Sequence, residues 1–152
     1  KLKDQRLNDL LASNRNKFGA QLVERGKDTV KLVKNLKLGG TMIILIDQDT
    51  KVKSRFVNFL GHPCATPIGA TIMALKTGAA VVPMFLHQRE DFKIEINCYP
   101  ELEMTVTGDD ETDLIVNTQK LSDVTEQEVR KYPEQWVWMH ERWKTKPGEE
   151  IR

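Results

Sequence analysis

Two short apolar runs, residues 41–46 (TMIILI) and 79–86 (AAVVPMFL), constrain the fold of this chain more than any other feature. Each is too short for a self-burying helix, and the first is rich in isoleucine, so both read as strands covered on two faces. Strands of that kind need sheet neighbours beside them and helices above and below. The intervening segments supply helices. Leu2, Leu7, Leu10 and Leu11 recur at helical spacing until the pattern breaks near Asn16. Residues 29–38 put Val30, Val33 and Leu36 or Leu38 on one face, with lysines opposite, and Gly39-Gly40 closes them. Pro67 opens a helix through Ile68, Ile72 and Leu75 that stops at Gly78, and helical spacing resumes over residues 113–131. Residues 21–24 and 54–59 read as further strands, residues 105–112 as a polar turn region, and Phe92, Ile94 and Ile96 alternate like a strand covered on one face. The expected fold is α/β, with helices covering a mixed, partly parallel sheet.

The 152 residues, 39% hydrophobic and 30% charged, suit one globular domain with a sizeable core. A net charge of +1 gives no global field for nucleic acid, so any basic site is a local patch such as Lys31, Lys34 and Lys37. Cys64 and Cys98 lack metal or disulfide-framework spacing, which points to reduced, buried thiols. No run approaches the roughly 20 apolar residues that cross a bilayer, and KLKDQRLNDLL is too polar for a signal peptide. Contact with a membrane is therefore expected along its surface.

The most specific segment is YPEQWVWMHERWKTKP, residues 132–147, which holds all three tryptophans. On a helix Trp136, His140 and Trp143 fall at i, i+4 and i+7, one stripe, while Arg142 and Lys144 point elsewhere. Two readings stand: the indoles seal a core, or they anchor the chain at a lipid interface with the cations kept wet. Asp47 and Asp49 follow the first apolar run, at the strand end where ligand sites of open α/β sheets gather. Such a pair either holds a divalent cation against phosphates or forms a charged turn. Arg15, Arg25 and Arg89 each adjoin an expected strand end, positioned to gather an anion or simply solvated. A base oriented by a carboxylate five residues on is missing: five beyond His62, His87 and His140 come Pro67, Phe92 and Thr145. His62 reads as a turn residue.

Taken in order, the blocks SNRNKFG, NLKLGG, IILIDQD, RFVNFLGHPCATPIGA, MALKTGAAVVPMF and YPEQWVWMHERWKTKP span nearly the whole chain. In these the chain resembles the C-terminal part of the late acyltransferases of lipid A biosynthesis, the lauroyl and myristoyl transferases. The resemblance implies a glycerolipid-acyltransferase-like fold and transfer of a fatty acyl group from acyl carrier protein to a hydroxyl of a Kdo-bearing lipid A precursor. It implies action at the cytoplasmic face of the inner membrane, with no metal or organic cofactor and no nucleic acid. The family's His-x4-Asp/Glu base lies in an upstream block, so residues 1–152 are expected to be the C-terminal portion of a single acyltransferase domain, without the catalytic dyad. Carried over by position, Arg15 would hold an anionic group of lipid or carrier, and Asp47 with Asp49 match the family's P-D-x-D block, with Ile46 replacing proline. Arg25 and Arg89 stand as supporting cations, and Trp136, Trp143, Arg142 and Lys144 as the membrane-facing set. Thr50-Lys51 and Trp136 depart from the common pattern. The rival readings are a phosphatidylinositol mannoside acyltransferase of the same superfamily, a non-catalytic carrier- or membrane-binding module, and a metal-dependent glycosyltransferase.

Overall fold

The computed structural model describes residues 4–21, 23, 28–50 and 52–149, without the side chain of Arg15. Among the described residues, four α-helices, two β-hairpins and one 3-10 turn make up the regular structure. Helix α1 (Gln5–Asn16) starts where Asp4 Oδ1 accepts the Arg6 backbone N–H at 2.9 Å, a cap for otherwise orphan donors. Helix α2 (Thr29–Lys37) half-buries Leu32, Val33 and Leu36 and exposes its lysines. It ends as expected. Gly39, at φ +81°, lets the Gly40 N–H reach Asn35 O at 2.8 Å.

Strands β1 (Ser54–Phe59) and β2 (His62–Pro67) form an antiparallel hairpin, with Ser54 opposite Pro67 and Phe59 opposite His62. Leu60 and Gly61, at φ 51° and 80°, make the two-residue turn whose twist suits adjoining strands. Helix α3 (Gly69–Thr77) closes at Gly78 in the left-handed region. A second antiparallel hairpin joins β3 (Met84–Gln88) to β4 (Ile94–Cys98), and the long α4 (Asp110–Lys131) follows. Helix α4 is well signalled. The Asp109 side chain accepts the Thr112 N–H at 2.6 Å, acids fill the first turn and Arg130 and Lys131 the last, both favourable to the helix dipole.

The core sits between α4 and the first hairpin. Phe59, Cys64 and Val129 are buried together, with Leu60, Trp136 and Trp143 packed against them. Polar ties fix the register. Gln119 both donates to Asn58 O and accepts its N–H, Ser122 Oγ donates to Asn58 O, and the Glu126 carboxylate accepts the Leu60 N–H at 2.6 Å. Each hydrogen bond of this kind contributes about 1 kcal/mol.

Several expectations need correction. Residues 41–46 are not a buried strand: they have no regular structure, and Ile43 is 88% and Leu45 74% exposed. Residues 79–83 are irregular too, and the strand they lead into exposes Met84 and Leu86. Ile94 and Ile96 share that open face, and Phe92 occupies the hairpin turn at φ +60°. Among the described residues the strands form two separate antiparallel pairs. His62 opens β2 instead of lying in the turn, and Cys98 is exposed while Cys64 is buried. The expected strand at residues 21–24 falls on positions of which 22 and 24 lie outside the described residues.

Candidate acidic-loop site

Pro133 determines the shape of the C-terminal segment. It disfavours helical geometry at Tyr132, so α4 ends there and a single 3-10 turn (Pro133–Gln135) leads into irregular chain. The expected tryptophan stripe on a helix is therefore absent. Trp136 and Trp143 instead meet Phe59, with ring centroids 5.7 and 5.8 Å away, and seal the core. Trp138 stays 52% exposed and donates its indole N–H to Pro133 O at 2.6 Å.

Arg142 changes role most. Expected at a lipid interface, it is 3% exposed. Its guanidinium donates to Ala65 O at 2.7 Å and Thr66 Oγ1 at 2.6 Å, and it lies over the Phe59 ring at 5.5 Å. Burial pulls its pKa down, opposed by Cys64, Asp49 and Asp47. Arginine tolerates this because its charge is delocalised and its planar fork meets two acceptors at once. Burial likewise pushes the Cys64 thiol up, with Thr66 and Arg142 opposing. Lys144 remains exposed.

Around Arg142 the C-terminal segment straps the acidic loop. The Asp49 carboxylate accepts the Thr145 N–H at 2.7 Å and its hydroxyl at 3.0 Å, and the Asp49 N–H donates to His140 Nε2 at 3.2 Å. That last contact requires a lone pair on Nε2 and so sets the tautomer. Both Asp49 oxygens are engaged by Thr145, which leaves the pair poorly arranged to share a cation. Asp47 differs. Its Oδ1 is buried and has no hydrogen-bond partner among the described residues, beside a cavity of about 10 Å³ lined by Asp47, Thr66, Ser122, Thr125 and Arg142 among others, large enough for about one water. The site thus consists of an immobilised carboxylate, a free carboxylate oxygen and a buried cation that acts on both.

Of the three arginines expected at strand ends, Arg89 alone has a described side chain, and it pairs outside this site. Arg89 lies in the β3–β4 turn, 3.4 Å from Asp91 and 3.9 Å from Glu95. Arg25 lies outside the described residues. Arg15 is on the last turn of α1, with its side chain undescribed. Sequence reading missed His140 and Thr145 as partners of the loop, 91 and 96 residues away, and the Arg142–Thr66 contact across 76 residues, separations that leave no local pattern. It also missed a histidine–carboxylate pair: His87 Nε2 is 2.6 Å from Glu128 Oε1, 41 residues away.

A model of the bacterial lipid A biosynthesis acyltransferase family matches residues 1–145. The chain is 29% identical to the lipid A biosynthesis palmitoleoyltransferase of Escherichia coli (strain K12), over 76% of this chain and 37% of that protein. It is 30% identical to the lipid A biosynthesis lauroyltransferase of the same organism, over 80% of this chain and 39% of that protein. A lipid A biosynthesis acyltransferase of Haemophilus influenzae is 29% identical over 90% of this chain and 42% of its own length. The chain thus spans about two fifths of the length of these relatives.

Proposed function

This chain belongs to the bacterial lipid A biosynthesis acyltransferase family, and we propose that it forms part of an enzyme that transfers a fatty acyl group to a hydroxyl of a lipid A precursor. The donor in this reading is acyl carrier protein and the acceptor a Kdo-bearing lipid A precursor, met at the cytoplasmic face of the inner membrane. The observation that carries it is the family match over residues 1–145, which contains an acidic loop held rigid at Asp49 and left open at Asp47.

Acyl transfer needs a base to deprotonate the acceptor hydroxyl as it attacks the thioester carbonyl. In this proposal the base comes from residues outside these 152, and the acidic loop orients the acceptor. Asp47 Oδ1 accepts a hydrogen bond from the lipid or a bridging water, beside the Arg142 guanidinium that lines the same cavity. Arg15 holds an anionic group of lipid or carrier.

The open apolar surface supports the same reading. Ile43, Leu45, Met84, Leu86, Ile94 and Ile96 are more than half exposed, an apolar extent unusual for a finished surface. We assign it to a wider, partly parallel sheet of glycerolipid-acyltransferase type completed by residues outside this chain. Among the described residues no helix is long and apolar enough to cross a membrane. Membrane contact is assigned to exposed Val137, Trp138 and Met139 with Lys144, in place of the buried Arg142 and the partly buried Trp136 and Trp143.

The test supplies the intact protein with an acyl carrier protein thioester and a Kdo-bearing lipid A precursor, and follows the acceptor by mass spectrometry. The expected product is heavier by one acyl group, and Arg15→Ala lowers turnover strongly. Transfer to a phosphatidylinositol mannoside in preference, or no transfer to either lipid, rejects the lipid A reading.

A further inference from the structure

A cleft of about 540 Å³ lies where the β3–β4 hairpin meets the end of α4, with His87, Tyr132 and Gln135 in its lining. Its volume falls in the range of small-molecule sites. None of its lining residues belongs to the acidic-loop site.

Behind His87 sits Glu128, its side chain only 3% exposed. It accepts the Tyr99 hydroxyl, Asn97 Nδ2 at 3.2 Å, His87 Nε2 at 2.6 Å and Lys131 Nζ at 3.4 Å. Burial on its own would raise the carboxyl pKa, but these four donors outweigh it and hold the group down to about 2. Glu128 is therefore an ionised acceptor, and the imidazole nitrogen facing it must donate. In the neutral ring that tautomer leaves a lone pair on Nδ1. Among the described residues the buried Nδ1 finds no hydrogen-bond partner, while the ring stacks on Tyr132 at 3.9 Å. Buried polar atoms are satisfied as a rule, so this one points to a donor that the described residues do not supply.

The charges of the cleft define that donor. Glu90, Asp91, Glu95 and Glu134 line it against one cation, Arg89, which already faces Asp91 and Glu95. A concave wall with four carboxylates and one guanidinium attracts cations and repels anions. We propose that the cleft binds the primary ammonium group of a small molecule, with His87 Nδ1 accepting one of its protons and Glu95 and Glu134 balancing its charge. This site goes beyond the acyl transfer assigned above and uses none of its residues.

The test is nuclear magnetic resonance of the intact protein, ¹⁵N-labelled in its histidine rings and titrated with putrescine at constant ionic strength, with sodium acetate in parallel. The His87 ring signals are expected to shift saturably with putrescine and not with acetate. The double variant Glu95→Gln/Glu134→Gln is expected to weaken the apparent affinity at least tenfold. Both side chains are exposed, so the fold is spared. No saturable shift, an equal response to acetate, or unchanged affinity in the double variant overturns the proposal.

Discussion

Replacing Arg142 with methionine removes the charge and both donations while keeping a stem that packs on Phe59. Hydrogen bonds to charged groups contribute about 1.5–3 kcal/mol each, so losing the bonds to Ala65 O and Thr66 Oγ1 removes roughly 3–6 kcal/mol. Methionine restores some packing, which brings the expected loss to about 3–5 kcal/mol. Arg142→Lys keeps the charge but not the fork and is expected to lose one of the two bonds, about 1.5–3 kcal/mol. Urea unfolding of the intact protein measures this, and tryptophan fluorescence reports it locally because Trp136 and Trp143 both touch Phe59. A loss below about 1 kcal/mol for Arg142→Met would place the guanidinium in solvent, where surface charges have effects of that size, and would restore its reading as an interfacial cation.

The tryptophans should separate in the same assay: Trp143→Ala is expected to cost about 3–5 kcal/mol, and half-exposed Trp138→Ala about 1 kcal/mol for its one hydrogen bond. Equal losses would contradict the packing described. Glu128 predicts an acid limb. Its carboxyl, ordinarily near 4.5, is held at about 2 in the fold, so its stabilisation is fully present above pH 4.5 and fades as the pH falls towards 2. The shift corresponds to about 3 kcal/mol, and Glu128→Gln should flatten that limb in unfolding measured from pH 6 to 2; an unchanged profile would refute the role of the four donors.

Helices were the legible part of this sequence, because their signals are local. The leucine spacing of α1, the Gly39-Gly40 closure of α2, the Gly78 stop of α3 and the charge bias of α4 all act within a few residues. Strands were less legible. Pro63 and Pro67 make HPCATP look unlike a strand, yet both are tolerated because this hairpin has only two strands and each is an edge. Residues 41–46 and 79–86 carry the composition of buried strands, but burial depends on what covers them, and most of their apolar side chains here face outward. The acidic loop was found for a local reason, two aspartates after an apolar run. Its partners were not, since Arg142 and Thr145 meet it only after Pro133 has turned the chain out of α4. Read as a helix, that segment misplaced Arg142.

The account rests on Asp47 being held open for a ligand. Its buried Oδ1 has no partner to lose among the described residues, so Asp47→Asn, nearly isosteric, should change stability by less than about 1 kcal/mol. The decisive measurement is the turnover of acyl transfer by that variant of the intact enzyme, beside its unfolding curve. A fall in kcat of about a hundredfold with stability preserved is the expected result, the size of effect seen when one well-placed hydrogen-bonding group is removed from a reacting complex. Full turnover with preserved stability would contradict the account and leave the acidic loop a purely structural turn.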